Sequence, residues 1–200
     1  MINNIDSRTV ESFGKQWKKF DQTKNYNDLK IDFKKYFKIF PWDKINSKSI
    51  GFDMGCGTGR WAEFIIPHIG KLYCIEPSLE ALNVAKKRLN KTGKCVFVNS
   101  SANSIDDISD SFFDFGYCLG VFHHIPNVLN AIKSCTKKLK SGAPFLIYIY
   151  YNFENRSLSF VLLWKISKFI RLLISPLPFV IKKILTDLIA LFIYLPLKYL

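Results

Sequence analysis

The chain has 200 residues, of which 48% are hydrophobic and 22% are charged. This composition fits a folded domain with a sizeable core and excludes an intrinsically disordered chain. The formal net charge is +13, with 11 basic against 6 acidic residues in 1–49, 11 against 8 in 50–150 and 7 against 2 in 151–200. Because the positive charge is spread over the chain rather than gathered in one stripe, nucleic acid is a disfavoured partner.

The N-terminal sequence MINNIDSRTV lacks the basic and apolar stretches of a signal peptide. The five cysteines are scattered singly, with no C-x-x-C pair. This usage predicts a reducing, cytoplasmic environment with neither a disulfide framework nor a metal site.

Residues 1–49 show helical spacing of apolar side chains. Two groups carry this spacing, Val10, Phe13, Trp17 and Phe20, then Phe33, Phe37 and Phe40, before Pro41. The pattern predicts an N-terminal helical region that ends near this proline.

From residue 50 to residue 151, short apolar runs alternate with amphipathic stretches. The predicted strands are SIGFDM, KLYCIEP, KCVFVNS, FFDFGYCLG and PFLIYIYY, and the predicted helices are GRWAEFIIPHI, SLEALNVAKKRLN with Ser78 as its N-cap, and VLNAIKSCTKKLK. Strand–helix alternation indicates βαβ units. We therefore predict an α/β fold, a Rossmann-like and mostly parallel sheet flanked by helices.

Residues 152–200 form a basic, apolar helical segment. Its longest runs without charge, LLISPLPFVI and LIALFIYLPL, have ten residues each, well short of the ~20 needed to span a bilayer. Two interpretations stay open: core helices buried against the domain, or interfacial helices within 157–200 whose lysines face anionic headgroups at a membrane.

The stretch GFDMGCGTGR places a glycine turn after a predicted strand. A dinucleotide fingerprint, G-x-G-x-x-G, fits poorly, since its last position falls on Arg60 or Ala62. Asp53 would also repel a pyrophosphate but would suit a ligand that carries an ammonium group. The turn therefore favours a nucleoside ligand without phosphate.

At these residues the chain resembles the class I S-adenosylmethionine-dependent methyltransferases. DMGCGTG resembles their D/E-x-G-x-G-x-G motif, and YCIEPS, VNSSANSI and FFDFGYCLGVFHHIPN resemble three further motifs in the same order. The last is similar to the branch that contains ubiquinone- and menaquinone-biosynthesis and related small-molecule methyltransferases. SFGKQWKKF resembles the N-terminal helix that covers the site in some members. Phe13 and Trp17 would then close over the cofactor, although helix-spaced aromatics also form ordinary core.

The resemblance implies S-adenosylmethionine as cofactor. Asp53 would bind its amino group, Glu76 both ribose hydroxyls, and the first amides of the next helix its carboxylate. The implied cofactor-binding residues are Asp53, Gly55, Cys56, Gly57, Gly59, Glu76, Pro77, Ser101, Ala102, Leu119 and Gly120.

Methyl transfer needs a base only when the acceptor must lose a proton. His123 and His124 follow the fourth predicted strand, at the edge of the sheet where such sites form. They are the candidate catalytic residues, with a hydrogen-bonding or capping role in the loop as the alternative.

The resemblance implies two further strands after the fifth, which 152–200 does not show, so we expect this segment to be an insertion or the end of a truncated chain. The segment would cover the sheet edge, join a second copy of the chain or contact a membrane. We expect methyl transfer to a small-molecule, lipid-linked or saccharide acceptor. The alternatives are a remnant that binds the cofactor without turnover and a membrane-peripheral scaffold.

Overall fold

The computed structural model describes residues 4–19, 26–150 and 156–195. The chain divides into two compact units, 1–150 and 151–200. Phe20 and Tyr151, which belong to a predicted helix and a predicted strand, lie outside the described residues.

The first unit is built on a five-stranded parallel sheet. Its strands are β1 (Ile50–Met54), β2 (Lys71–Ile75), β3 (Cys95–Val98), β4 (Phe115–Leu119) and β5 (Phe145–Tyr148). They lie in the order β3-β2-β1-β4-β5, and every neighbouring pair is parallel. The predicted α/β fold with a parallel sheet is confirmed. The order reverses at β1, and ligands of such sheets bind beyond the carboxyl ends of the strands at this point.

The described residues of the first unit form five α-helices: α1 (Ser7–Lys19), α2 (Tyr26–Tyr36), α3 (Ala62–Ile65), α4 (Leu79–Leu89) and α5 (Val128–Lys138). The Ser78 side chain accepts a hydrogen bond from the Ala81 N–H at 3.4 Å, so Ser78 caps α4 as predicted. The helix predicted over 59–69 is wrong in length. Gly59 has a positive φ and Pro67 cannot donate to a helical hydrogen bond, so only α3 and a 3-10 turn, Ile66–His68, form.

The core lies on both faces of the sheet. Successive strand residues point to opposite faces, so Phe115 and Tyr117 of β4 belong to one apolar cluster, while Phe52 and Met54 of β1 belong to the other. All four side chains are at most 2% exposed. A sheet covered in this way holds the ends of its strands, and the loops that follow them, in fixed positions.

The second unit contains α6 (Leu158–Ile174) and α7 (Phe179–Ile189), and α7 continues into a π-helical turn, Ala190–Tyr194. The predicted helical character is therefore present, but no residue of α6 is buried. Whether this helix packs as core or lies at an interface stays open. Within the described ranges, no helix combines the length and the apolar character that crossing a membrane requires.

Candidate functional site

The loop after β1 reverses the chain through glycines with positive φ. Gly55 has φ of 73° and Gly57 of 54°, a conformation that residues with a side chain rarely adopt. The N–H groups of Gly55 and Cys56 donate to the Ile75 carbonyl oxygen at 2.8 and 3.1 Å. These hydrogen bonds fix the loop across the carboxyl ends of β1 and β2.

Glu76, the first residue after β2, supports the same loop with its side chain. Its Oε2 accepts from the Gly57 N–H at 3.0 Å, and its Oε1 accepts from the Ser78 N–H at 2.9 Å. Burial raises the pKa of Glu76, while these two backbone N–H groups lower it. Each carboxylate oxygen has a second lone pair, so Glu76 can still accept hydrogen bonds from two ligand hydroxyls.

A cavity of about 150 Å³, partly open to solvent, lies where the loops after β1, β2, β3 and β4 meet. Nine of the predicted cofactor-binding residues form part of its wall: Gly55, Cys56, Gly57, Glu76, Pro77, Ser101, Ala102, Leu119 and Gly120. The cavity thus brings together side chains that are up to 65 positions apart in the sequence.

Two aromatic residues of α1 line the cavity. The rings of Phe13 and Trp17 are stacked with centroids 6.5 Å apart, and a Cβ on Gly57 would lie 3.7 Å from Trp17 Nε1. The indole therefore lies over the glycine turn. Aromatic rings attract cations, so this placement suits a sulfonium, although the cofactor contact itself stays a prediction.

Hydrogen bonds and close packing hold the N-terminal segment to the sheet domain. The Asn127 N–H donates to Asn4 Oδ1 at 2.6 Å, and Asn4 Nδ2 donates to the Asn127 carbonyl oxygen at 2.8 Å. A Cβ on Gly14 would collide with the Ser78 hydroxyl. The helix α1 therefore packs directly against the start of α4, which positions its aromatic rings at the cavity.

Arg60 also lines the cavity, and the sequence analysis missed it as a site residue. Its guanidinium carbon lies 5.2 Å from the ring centroid of Trp17 and 4.6 Å from that of Trp61. Burial lowers the pKa of Arg60, and Tyr36 and then Asp53 act against this shift. An arginine side chain stays charged in proteins, so it can bind a ligand carboxylate. Its signal in the sequence was a large cationic residue directly after the last glycine of the turn.

The role of helix amides in carboxylate binding stays a prediction. The helix after the turn, α3, has only four residues, so few peptide dipoles add up at its N-terminus. Arg60 is the stronger candidate for a carboxylate partner, because a guanidinium carries a full charge.

Asp53 lies behind the cavity wall rather than in it. It is 1% exposed, whereas the next two residues, Met54 and Gly55, line the cavity. Burial raises the pKa of Asp53 to about 8, the Tyr117 hydroxyl lowers it, and Glu76 raises it. Neither Asp53 Oδ2 nor the Tyr117 hydroxyl completes a hydrogen bond. This unpaired buried oxygen fits a cationic ligand group, which would lower the pKa again. Direct contact with an amino group stays a prediction.

The two histidines after β4 occupy different positions. His124 lines the cavity and its ring centroid lies 5.0 Å from that of Phe13, whereas His123 does not line the cavity. The His123 ring is 4.1 Å from that of His124 and 4.2 Å from that of Tyr150. Burial lowers the pKa of both imidazoles, so they are neutral at pH 7 and can accept a proton. His124 is the better placed of the two.

Gly59 and Cys56 have packing roles that the sequence analysis did not predict. Gly59 does not line the cavity, and a Cβ there would lie 2.7 Å from Leu89 Cδ1, so it lets the turn pack against α4. Cys56 contributes to the wall, but the neighbouring Cys74 thiol lowers and burial raises its pKa, to about 11. Its thiol is therefore protonated at pH 7. Across the part of the chain that the structure describes, no group of three His, Cys, Asp or Glu residues could hold a metal ion.

Part of the first unit matches a known protein family. A family model described as "Methyltransferase domain" matches residues 52–147. The chain is 24% identical over 163 residues to the ubiquinone biosynthesis O-methyltransferase of Vibrio cholerae, covering 77% of this chain and 62% of that protein. It is 27% identical over 165 residues to the corresponding protein of Aliivibrio fischeri, covering 78% and 66%. The chain thus spans about three fifths of the length of the Vibrio cholerae relative.

Solved structures share the fold. A Methanococcus maripaludis protein assigned to the S-adenosyl-L-methionine-dependent methyltransferases has a TM-score of 0.57 at 17% identity, covering 74% of this chain and 66% of that one. Phosphoethanolamine N-methyltransferase 1 of Haemonchus contortus, bound to phosphoethanolamine and S-adenosylhomocysteine, has a TM-score of 0.53 at 14% identity, covering 66% and 30%. At these identities the likeness shows a common fold.

Proposed function

We propose that this protein transfers a methyl group from S-adenosylmethionine to a hydroxyl of a small, lipid-like acceptor. The proposal starts from its domain, which is that of the class I S-adenosylmethionine-dependent methyltransferases. The observation that carries the proposal is the cavity, where the loops after four strands meet beneath two aromatic rings of α1. S-adenosylmethionine is the cofactor of this family.

The residues of the cavity match the chemical groups of this cofactor. Glu76 has free lone pairs for the two ribose hydroxyls, and Ser101 and Ala102 lie where adenine would be flanked. Arg60 would hold the carboxylate and Asp53 the amino group, which are the two charged ends of a zwitterion without phosphate. The cofactor, when bound, supplies an electrophilic methyl group on a sulfonium.

The protein's own contribution to the reaction would be alignment, exclusion of water and removal of one proton. The bound cofactor would supply the methyl carbon, and the cavity would hold this carbon in line with the acceptor oxygen that displaces sulfur from it. His124 would take the hydroxyl proton on an imidazole nitrogen, and the neutral state of the ring at pH 7 suits this role. His123, whose ring packs on that of His124, would position it.

Among small, lipid-like acceptors we propose a hydroxylated aromatic molecule, for two reasons. The relatives described above are O-methyltransferases of ubiquinone biosynthesis. In addition, a series of adjoining rings leads from the cavity to a surface-exposed tyrosine, namely Phe13, His124, His123 and Tyr150. Tyr150 is 65% exposed, so this end of the series is accessible. Stacked and edge-on ring contacts favour a flat aromatic acceptor.

Cytoplasmic location is part of the proposal. All five cysteines are free thiols, and four of them are buried. Unpaired thiols are typical of reducing compartments, which supports this location.

Calorimetric titration with S-adenosylhomocysteine tests the cofactor site. Glu76→Ala should weaken binding at least tenfold, about 1.4 kcal/mol, because the ribose loses its acceptor. Glu63→Ala is the matched control, since it removes a carboxylate that is outside the cavity wall. Unchanged affinity in Glu76→Ala, or tight binding of NAD in place of S-adenosylhomocysteine, would contradict the site.

Transfer itself is tested with radiolabelled S-adenosylmethionine and a series of phenols and catechols, with and without a prenyl chain, beside amines of similar size. We expect label in phenolic products and a large loss of rate in His124→Ala. Binding of S-adenosylhomocysteine without a labelled product from any acceptor would favour a cofactor-binding remnant over an enzyme.

A further inference from the structure

The helix α6 carries all its basic residues on one side. Lys165, Lys168 and Arg171 recur every third position, which places them within an arc of about 120° on a helix of 3.6 residues per turn. A second arc carries only large apolar side chains: Leu162, Ile166, Phe169 and Leu173. Because apolar residues also lie between the basic ones, α6 is a mostly apolar helix with one basic side.

The apolar side of α6 is open to solvent. Leu162 is 60% exposed, Phe169 62% and Leu173 58%. Contiguous exposed apolar residues on a folded protein usually mark a surface that binds protein or membrane. We therefore expect another molecular surface to cover this side of α6.

The helix α7 has the same division. Ile181, Ile184 and Leu188 are 48%, 55% and 46% exposed, and they fall on one side at helical spacing. Lys182 and Lys183 fall on the other side, where Lys183 Nζ forms an ion pair with Asp187 at 2.6 Å. Two helices in succession thus have an apolar side next to a basic one.

The charge of this segment indicates which kind of surface would complement it. Residues 156–195 contain six basic residues (Arg156, Lys165, Lys168, Arg171, Lys182 and Lys183), against one acidic residue, Asp187. Nucleic acid would match the charge, but it would leave the apolar sides of both helices uncovered. An anionic lipid surface matches both properties, because phosphate headgroups lie directly above acyl chains.

Trp164 adds a further feature of interfacial helices. The Lys168 ammonium lies 5.5 Å from the Trp164 ring centroid, and the indole is 39% exposed. Tryptophan and lysine side chains are both typical of the headgroup level, where an apolar ring or stem meets a polar end.

We propose that residues 156–195 dock on an anionic lipid surface, with α6 and α7 lying in the plane of the interface. The apolar sides enter the acyl region, and the basic residues stay among the phosphates. The proposal does not depend on methyl transfer, since it rests on the helices of the second unit alone.

Vesicle flotation with the full chain tests this docking. We expect binding to vesicles of phosphatidylcholine with 30% phosphatidylglycerol and much weaker binding to pure phosphatidylcholine. A basic residue near an anionic surface contributes about 1 kcal/mol, or about fivefold in the partition coefficient. The triple variant Lys165→Gln, Lys168→Gln, Arg171→Gln should therefore bind at least tenfold more weakly. The matched control, Lys86→Gln, Lys87→Gln, Lys133→Gln, neutralises three exposed lysines of α4 and α5 and should bind as the unmodified chain does.

A second variant tests the apolar side without changing charge. Leu162→Ser with Phe169→Ser should lower the partition coefficient at least tenfold, and both residues are exposed, so folding should be preserved. The fluorescence of the chain should shift to shorter wavelength on binding, and this shift should be absent in Trp164→Phe. S-adenosylhomocysteine affinity, measured in parallel, shows whether each variant is folded.

Three results would overturn the proposal. They are equal flotation of the triple variant and its control, equal binding to neutral and anionic vesicles, and a stable dimer that forms through this segment without binding vesicles. Loss of methyl transfer with retained flotation would contradict the proposed function and leave the docking surface intact.

Discussion

Phenylalanine has opposite environments in the two units of this protein. Phe115 of β4 is fully buried against Phe40, whereas Phe169 of α6 is 62% exposed. Both stretches are rich in apolar residues. The difference lies in their pattern: β4 belongs to a segment in which strands alternate with helices that cover both faces of the sheet, whereas α6 is followed by another apolar, basic helix, α7. Apolar residues form a core only where the order of elements supplies a second surface to cover them.

The lysines differ in the same way. Lys138 at the end of α5 is 5% exposed, donates to the Ile108 carbonyl oxygen at 2.6 Å and pairs with Asp110 at 2.9 Å. Lys165 and Lys168 of α6 are exposed. In the first unit a buried charge is tied to the fold by its partners, while in the second the charge is available to an external anion.

The largest expected contrast is in packing. Phe115→Ala should lower the free energy of unfolding of the first unit by about 3–5 kcal/mol, because it leaves a cavity in a filled core. Phe169→Ala should change it by less than about 0.5 kcal/mol, since an exposed ring makes few contacts. Urea denaturation followed by circular dichroism measures both. A large effect of Phe169→Ala would show that α6 is part of the cooperative core.

The next contrast is in the response to pH, and it comes from Asp53. Burial raises its pKa from 3.8 to about 8, so between these values the folded protein holds a proton that the unfolded chain releases. Stability from this group is therefore full below pH 4 and is lost as pH rises towards 8. Asp53→Asn stays neutral and should gain about 2–3 kcal/mol relative to the unmodified protein between pH 5 and pH 7.5.

The control for this prediction is Asp187→Asn in α7, whose carboxylate is exposed and paired with Lys183. The unfolding transition of the first unit should follow the same pH dependence in this variant as in the unmodified chain. A parallel shift of Asp53→Asn at all pH values would show that the buried carboxyl is ionised in the folded protein.

Most of the sheet domain could be predicted because local pattern and tertiary role agree there. The five strands, the Ser78 cap and the residues after each strand follow from alternation and turn chemistry, and the structure brings ten of the predicted site residues into one cavity. The three that lie elsewhere, Asp53, Gly59 and His123, depend on side-chain direction and packing across the turn. A one-dimensional pattern does not contain that information.

Arg60 and the α6 surface were harder to predict for a related reason. Arg60 belongs to the cavity because α1 covers the glycine turn. This brings the Trp17 ring close to the Arg60 guanidinium, although the two residues are more than 40 positions apart in the sequence. The apolar side of α6 has the same spacing whether it faces a core or a membrane. The spacing alone therefore does not distinguish the two.

Two tryptophans provide a smaller contrast between cofactor binding and the second unit. Trp17→Ala should weaken S-adenosylmethionine binding by about 1–2 kcal/mol, because a partly enclosed ring over a cation contributes about that much. Trp164→Ala, outside the cavity, should leave the affinity unchanged. Calorimetry with S-adenosylmethionine and with S-adenosylhomocysteine, which lacks the sulfonium charge, separates a cation contact from simple covering. Equal losses for both ligands would contradict the cation–π contribution.

The smallest contrast uses the same cap in both units. Ser78 accepts from the Ala81 N–H at the start of α4, and Ser157 accepts from the Phe160 N–H at the start of α6, each at 3.4 Å. Ser78→Ala should lower the free energy of unfolding of the first unit by about 1 kcal/mol, the usual value for a lost cap.

Ser157→Ala removes the equivalent hydrogen bond of α6, but α6 has no buried residue that would couple the helix to a core. That variant should reduce helical circular dichroism slightly without moving the urea midpoint of the first unit. Equal shifts of the midpoint in both variants would mean that the second unit unfolds together with the first.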